Sequence, residues 1–278
     1  MSSTPLANNL RVIIAEAVKM WRVWRTYKIL IVFWGIFPLL WVLPFVFQGR
    51  ALVGGLASAN FKNLTGTEYY LPYILIGAMV STYVFSGLWG IGNSLREETY
   101  WGTLEYIIIS PTNPIVVLLG KVLSEFVYAT ATVIFQGLVC VLFFGVPITL
   151  AKILPIMLII ALLLIGFYSL AIGFAGLTLL IKETHGLVRT MEWFFFLFSP
   201  IRYPVEINPI TKFVSMFIPL TYALVAIRMI VLFRQPGVSL WNVILILLLM
   251  DVASMLVGYI TFTQLELRTR RAGTISMH

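Results

Sequence analysis

The chain has little of what a soluble enzyme needs. Charged residues make up 11% of its 278 positions, and histidine occurs only twice, at His185 and His278. Two histidines cannot build a metal cluster and no H-E-x-x-H motif is present, so no metal site is expected. The single cysteine, Cys140, lies inside an apolar window, which excludes an intrachain disulfide and says little about compartment. A phosphate-binding loop is missing as well. The only Gly-Lys pair, Gly120-Lys121, has Ile115 where the first glycine of G-x-x-x-x-G-K belongs, and Val122 where Ser or Thr should follow. No ATPase is built into the chain, and no cofactor is expected on it. Neither an internal repeat nor a cluster of polar catalytic residues is found. The first apolar run begins at Ile29, is too long for a signal core and has no small-residue cleavage site, so a cleavable signal peptide is not expected.

What is present is apolar surface. Hydrophobic residues reach 60% and aromatics 14%, with a mean hydropathy of +0.98. Charge-free windows carry the argument: 21 residues between Lys28 and Arg50, 27 between Glu68 and Arg96, 26 between Glu125 and Lys152, and 29 between Lys152 and Lys182. A bilayer core takes roughly 20 apolar residues per helix, so each window is long enough to span. The expected fold is all-α, a polytopic membrane protein. The net charge of +8 sits at the ends of the apolar runs, which fits the excess of Lys and Arg on the cytoplasmic side rather than nucleic-acid binding.

Residues 1–28 precede any span. Leu10, Ile13, Ile14, Ala17, Trp21 and Trp24 share an arc of about 100° at helical spacing, and Arg11, Lys19, Arg22 and Arg25 cluster on a neighbouring arc. The pattern predicts a cytoplasmic amphipathic helix lying in the headgroup region, in contact with membrane lipid. Residues 29–278 form the transmembrane part, with six spans expected at about 29–48, 71–94, 114–145, 153–181, 184–201 and 238–264. Parity then places both termini on one side. Taking that side as cytoplasmic puts 12 of the 19 Lys and Arg inside and leaves 203–233 as an external segment of short helices dipping into the membrane.

One polar island interrupts the apolar runs: "REETYWGTLEYIIISPTNP", residues 96–114. Pro111 ends any helix near Ser110, and Asn113-Pro114 reads as a cap and first helical position for the next span. About two helical turns fit between Gly102 and Ser110. There Leu104, Ile107 and Ile108 share a face, with Glu105 off it. That face is covered either by the chain's own spans or lipid, or by another polypeptide, and periodicity leaves both open.

The stretch "LREETYWGTLEYIIISPTNPIVVLLGKVLSE" (95–125) resembles the signature of the ABC type-2 exporter permeases: an entry rich in Arg and Glu, G-T-L-E, an apolar pair, a Pro, and L-G-K opening the next span. "FSPIRYPVEINPITKFVSMFIPLTYALVAIR" (198–228) is similar to that family's segment before its last span. The resemblance implies two six-span permeases paired as a homodimer or with a sibling. Each would bind a cytosolic ATPase that carries ATP and Mg, through a coupling helix after span two. Carried over, Gly102, Thr103, Leu104, Glu105, Tyr106, Ile107 and Ile108 lie on that helix. It also implies the cell membrane as location, export of a hydrophobic or amphipathic solute, drug-like or lipid-like, and no enzyme activity on this chain. The alternative within the same architecture is polysaccharide or glycolipid export. From other classes stand a lipid-modifying enzyme and a proton-coupled secondary transporter centred on Asp251. That carboxylate lies halfway along the last span, where a charge is costly and by default hints at function. Lys121 and Glu125, one turn apart, are expected to pair with each other.

Overall fold

The computed structural model describes residues 5–27, 59–110, 112–144, 150–178, 184–232 and 239–272, with isolated helical positions between 29 and 51. The first expected span, 29–48, therefore lies largely outside the described residues. Eleven α-helices are described in full: α1 Pro5–Thr26, α2 Ala59–Thr65, α3 Tyr70–Gly90, α4 Ser94–Tyr100, α5 Leu104–Ile109, α6 Pro114–Phe144, α7 Leu150–Thr178, α8 Thr184–Phe198, α9 Pro209–Ser215, α10 Pro219–Val231 and α11 Leu240–Ala272. No strand is present among them.

Local chemistry sets several boundaries. α6 opens where expected: Asn113 Oδ1 accepts from the Ile115 N–H at 2.9 Å, and Pro114, which has no N–H to leave unsatisfied, takes the first position. Asn208 and Pro209 repeat the device at α9, with Asn208 Oδ1 accepting from Ile210 N–H at 2.9 Å. α5 stops at Ser110, whose backbone is extended (φ −65°, ψ 149°), as the following proline demands.

Among the described residues, four helical stretches are long and apolar enough to cross a membrane: Tyr70–Tyr100, Pro114–Leu142, Ala151–Leu177 and Leu240–Thr269. The pair α9–α10, bent by 94° at its break, would make a fifth if it counted as one span. The expected fifth span, 184–201, is realised as the 15-residue α8. At 1.5 Å per residue that is about 22 Å, short of a hydrocarbon core of roughly 30 Å.

The core gathers side chains from α3, α6, α7, α8, α10 and α11, including Tyr83, Leu88, Leu163, Phe167, Ile201, Leu224 and Leu247. α7 and α11 pack closely along their lengths because glycines remove the side chains between them. A Cβ on Gly258 would lie 2.0 Å from the Ser169 carbonyl oxygen, and one on Gly173 would lie 3.1 Å from the Gly258 Cα.

The bundle has two distinct ends. At one, Trp89 of α3 donates its indole N–H to Glu192 of α8 at 2.9 Å, and Phe262 of α11 meets Leu104 of α5. At the other, Arg228 of α10 is fully buried. It donates to the carbonyls of Pro200 at 2.6 Å, Tyr73 at 2.9 Å and Ile201 at 3.1 Å, and its guanidinium lies 3.4 Å from the Tyr73 ring. Gly77 clears the approach, since a Cβ there would meet the Ile201 carbonyl. Lys152, in the first turn of α7, donates to the Val231 carbonyl at 3.1 Å. Both ends of the 199–231 segment thus lie at the same end of the bundle.

Candidate functional site

The polar island folds into two short helices at the first of these ends. α3 gives way to a three-residue turn, and α4 follows it within one 31-residue candidate span, Tyr70–Tyr100. Gly102 then takes a left-handed backbone (φ +70°), which a residue with a Cβ rarely adopts, and the chain turns into α5. Space is not the reason for the glycine, because a Cβ there would meet nothing.

The charges at the start of the island are not left to water. Glu98 is 2% exposed and takes three donors from three directions. Lys19 of α1 donates to it at 2.8 Å, Lys121 of α6 lies at 3.1 Å, and the Thr103 hydroxyl closes a short hydrogen bond to its carboxylate. Lys121, 3% exposed, also donates to the Ser94 carbonyl at 3.1 Å and has Glu97 at 3.7 Å. Lys19 pairs in addition with Glu16, one turn back, at 2.8 Å. Burial alone would lower the Lys19 pKa, but its hydrogen bonds to Glu16 and Glu98 outweigh that and hold it above the ordinary lysine value. The Trp101 ring lies 5.8 Å from one ammonium and 5.9 Å from the other. One carboxylate therefore pins α1, α4, the start of α5 and α6 together. Lys121 turns to Glu98 and not to Glu125, which instead packs its side chain against the space left by Gly90.

Gly120, in the L-G-K stretch, has a steric role in the same assembly. A Cβ on it would lie 2.6 Å from the Glu16 Cβ and 2.9 Å from the Ile13 carbonyl oxygen. Trp24 of α1 meets Tyr128 of α6 with ring centroids 5.1 Å apart. Gly120 lets α1 close onto α6, and the next residue, Lys121, supplies the charge.

Of the two covers that periodicity left open for α5, the chain's own helices take Leu104. Leu104 is 4% exposed, packed among Leu95, Leu118, Ala175 and Phe262, and Ile107 is half-buried. The side chain of Ile108 lies outside the described residues. At Leu104 the cover is the chain's own α4, α6, α7 and α11. What α5 exposes is the other side: Glu105, Tyr106 at 72% and Ile109 at 77%, continuous with Tyr100 and Trp101. Beside this edge opens a cleft of about 340 Å³ lined by Asn93, Arg96, Glu97, Tyr100, Trp101 and His185.

Asp251 lies far from this corner. It is 4% exposed, and neither carboxylate oxygen has a hydrogen-bond partner among the described residues. It fits against Gly166 of α7, where a Cβ would come within 2.1 Å of its Oδ1. No group of His, Cys, Asp and Glu among the described residues could hold a metal ion.

Sequence reasoning missed Lys19, Glu98 and Gly120 as a unit, since Lys19 and Glu98 stand 79 positions apart. It also passed over Arg228, whose position at the end of an apolar helix is the one signal that could have drawn notice.

The family model for the ABC-2 type transporter matches residues 10–233. No curated protein matches the chain.

Proposed function

The chain belongs to the ABC-2 type transporter family, and on that premise we propose that it is the permease subunit of an exporter powered by a separate cytosolic ATPase bound at α4–α5. The observation that carries this reading is the division of labour on α5. Leu104 and the Glu98 cluster tie the helix to five other helices, while Tyr106, Ile109 and Glu105 face outward and are exposed among the described residues. A six-residue helix is marginal in water by itself. Here it is ordered from within and still offers an apolar and an acidic contact to a partner. Gly102 and Thr103 set its start, so the sequence-derived segment 102–108 stays the coupling element, with its contact edge moved to Glu105, Tyr106 and Ile109.

The reading keeps six spans, with 29–48 as the first and α8 as the core of the fifth. It places the α5 end in the cytoplasm, together with both termini. The Lys and Arg of α1, Arg96, Lys121, Lys182, Arg189 and the tail support this orientation. The segment 199–231, whose two ends return to the opposite end of the bundle, is then external and dips partway into the membrane. Two permeases form the pathway, paired with a copy or a sibling. Family membership sets aside the secondary-transporter and lipid-enzyme readings. Scarce intramembrane charge favours a hydrophobic or amphipathic solute over a small ion.

The test is co-purification of the permease with the ATPase encoded for it. Tyr106→Asp combined with Ile109→Asp should insert and fold normally yet lose the ATPase, because it places charge on the docking edge and touches nothing inside. Wild-type recovery of the ATPase by a correctly folded double variant would reject α5 as the docking element.

A further inference from the structure

α1 presents three strips, of which the described fold uses one. Ile13, Glu16, Met20 and Trp24 face α6. The next strip holds Leu10, Ile14 and Trp21, all exposed. The third holds Arg11, Arg22 and Arg25, also exposed, and no acidic side chain among the described residues pairs with any of them. At 100° per residue the two exposed strips are adjacent.

We propose that the Arg11/Arg22/Arg25 strip binds the headgroup phosphates of anionic phospholipids, and that this attachment is passed through Lys19 and Glu98 to α5. The inference rests on α1 lying at the membrane surface and on α5 facing the ATPase. Three features select a charged bilayer as the occupant. α1 ends at Thr26, just before the first apolar window opens at Ile29, so the chain itself holds the strip at the bilayer surface. The apolar strip with Trp21 is the part that sinks to the headgroup boundary, where Trp is favoured. Guanidinium groups that reach that boundary bind the phosphates bidentately. Each basic residue near an anionic surface strengthens attachment about fivefold, so three together give about a hundredfold.

The path inward is short. Lys19 stands one turn before Arg22 and donates to Glu98 at 2.8 Å, and Glu98 also accepts from Thr103, the residue that starts α5. Holding α1 to the surface therefore holds the Glu98 carboxylate in place from one side. Releasing α1 withdraws one of its three donors and loosens the first turn of α5.

Hydrogen exchange read by mass spectrometry tests this on the full-length permease alone, without ATPase. The protein is placed in nanodiscs of phosphatidylcholine with and without phosphatidylglycerol. We expect slower exchange of both 5–26 and 94–110 in the anionic discs, reversed by high salt. The combined variant Arg11→Gln, Arg22→Gln, Arg25→Gln should lose the lipid dependence in both segments. Lys19→Gln should keep it in 5–26 and lose it in 94–110. Exchange that ignores lipid charge, or that responds equally in the triple variant, overturns the lipid site. A lipid response in 94–110 that survives Lys19→Gln overturns the path. Protection of 5–26 that appears only when another protein is added, whatever the lipid, assigns the strip to a protein partner and also overturns the proposal. Failure of ATPase docking leaves these readouts unchanged, so the two proposals fail separately.

Discussion

Two carboxylates are buried almost equally in this protein, and they sit in opposite circumstances. Glu98, 2% exposed, is surrounded by two ammonium groups and a hydroxyl drawn from α1, α6 and the α4–α5 turn. Asp251, 4% exposed, has no partner for either oxygen among the described residues. A buried charge is tolerated when its partners replace water, and breaking such a group by removing one member is far more damaging than the net worth of the pair. The first carboxylate is thus a structural joint at the end of the bundle where the partner is proposed to dock. The second adds no hydrogen bond to cohesion among the described residues. Burial alone does not distinguish them; connectivity does.

The comparison can be broken most forcefully at Glu98. Glu98→Ala leaves Lys121 buried without its main counter-charge and should destabilise the α1–α4–α6 corner by about 3–5 kcal/mol, seen as a lower thermal midpoint in detergent and rapid proteolysis near 94–110. Replacing Glu98 and Lys121 together by Leu and Met should recover much of that loss, since an apolar pair leaves no orphaned charge. Next in size is Leu104→Ala, which opens a cavity among Leu95, Leu118 and Phe262 and should cost about 2–4 kcal/mol. A fully lipid-facing Leu104 would show almost no change in the same unfolding measurement. The smallest effect belongs to Asp251→Asn, which removes no interaction among the described residues. It should alter stability by less than about 1 kcal/mol, so a loss as large as that of Glu98→Ala would mean that Asp251 has a partner of equal weight and would erase the contrast.

Much of the architecture was legible in the sequence, for reasons that can be stated. Three of the charge-free windows fall on α3, α6 and α7 because the hydrocarbon core excludes charge over a fixed length, and α11 follows the same apolar pattern with Asp251 as its one interruption at mid-length. The Asn113-Pro114 and Pro111 signals place the α5–α6 corner because proline geometry acts locally. Of the island's apolar positions, Leu104 is buried and Ile107 half-buried on the side that helical period assigned to them, a local property. Their cover was not legible, because whether Leu104 meets Phe262 or a foreign groove depends on residues far away in the chain. The pairing of Lys121 failed in the same way. A neighbour one turn off, Glu125, looked sufficient, while the actual partner lies on another helix. α8 shows a third limit, since an apolar run of the right character can still form a helix too short to cross by itself.

The central claim is that α5 faces its own protein through Leu104 and the ATPase through Tyr106. Site-specific photo-crosslinking measures this directly. A photoreactive amino acid is placed singly at Leu104, Tyr106 or Ile109 of the full-length permease, co-expressed with its ATPase. The account predicts a crosslink between permease and ATPase from positions 106 and 109, and at position 104 only adducts within the permease. A crosslink to the ATPase from position 104 together with none from 106 or 109 would contradict it.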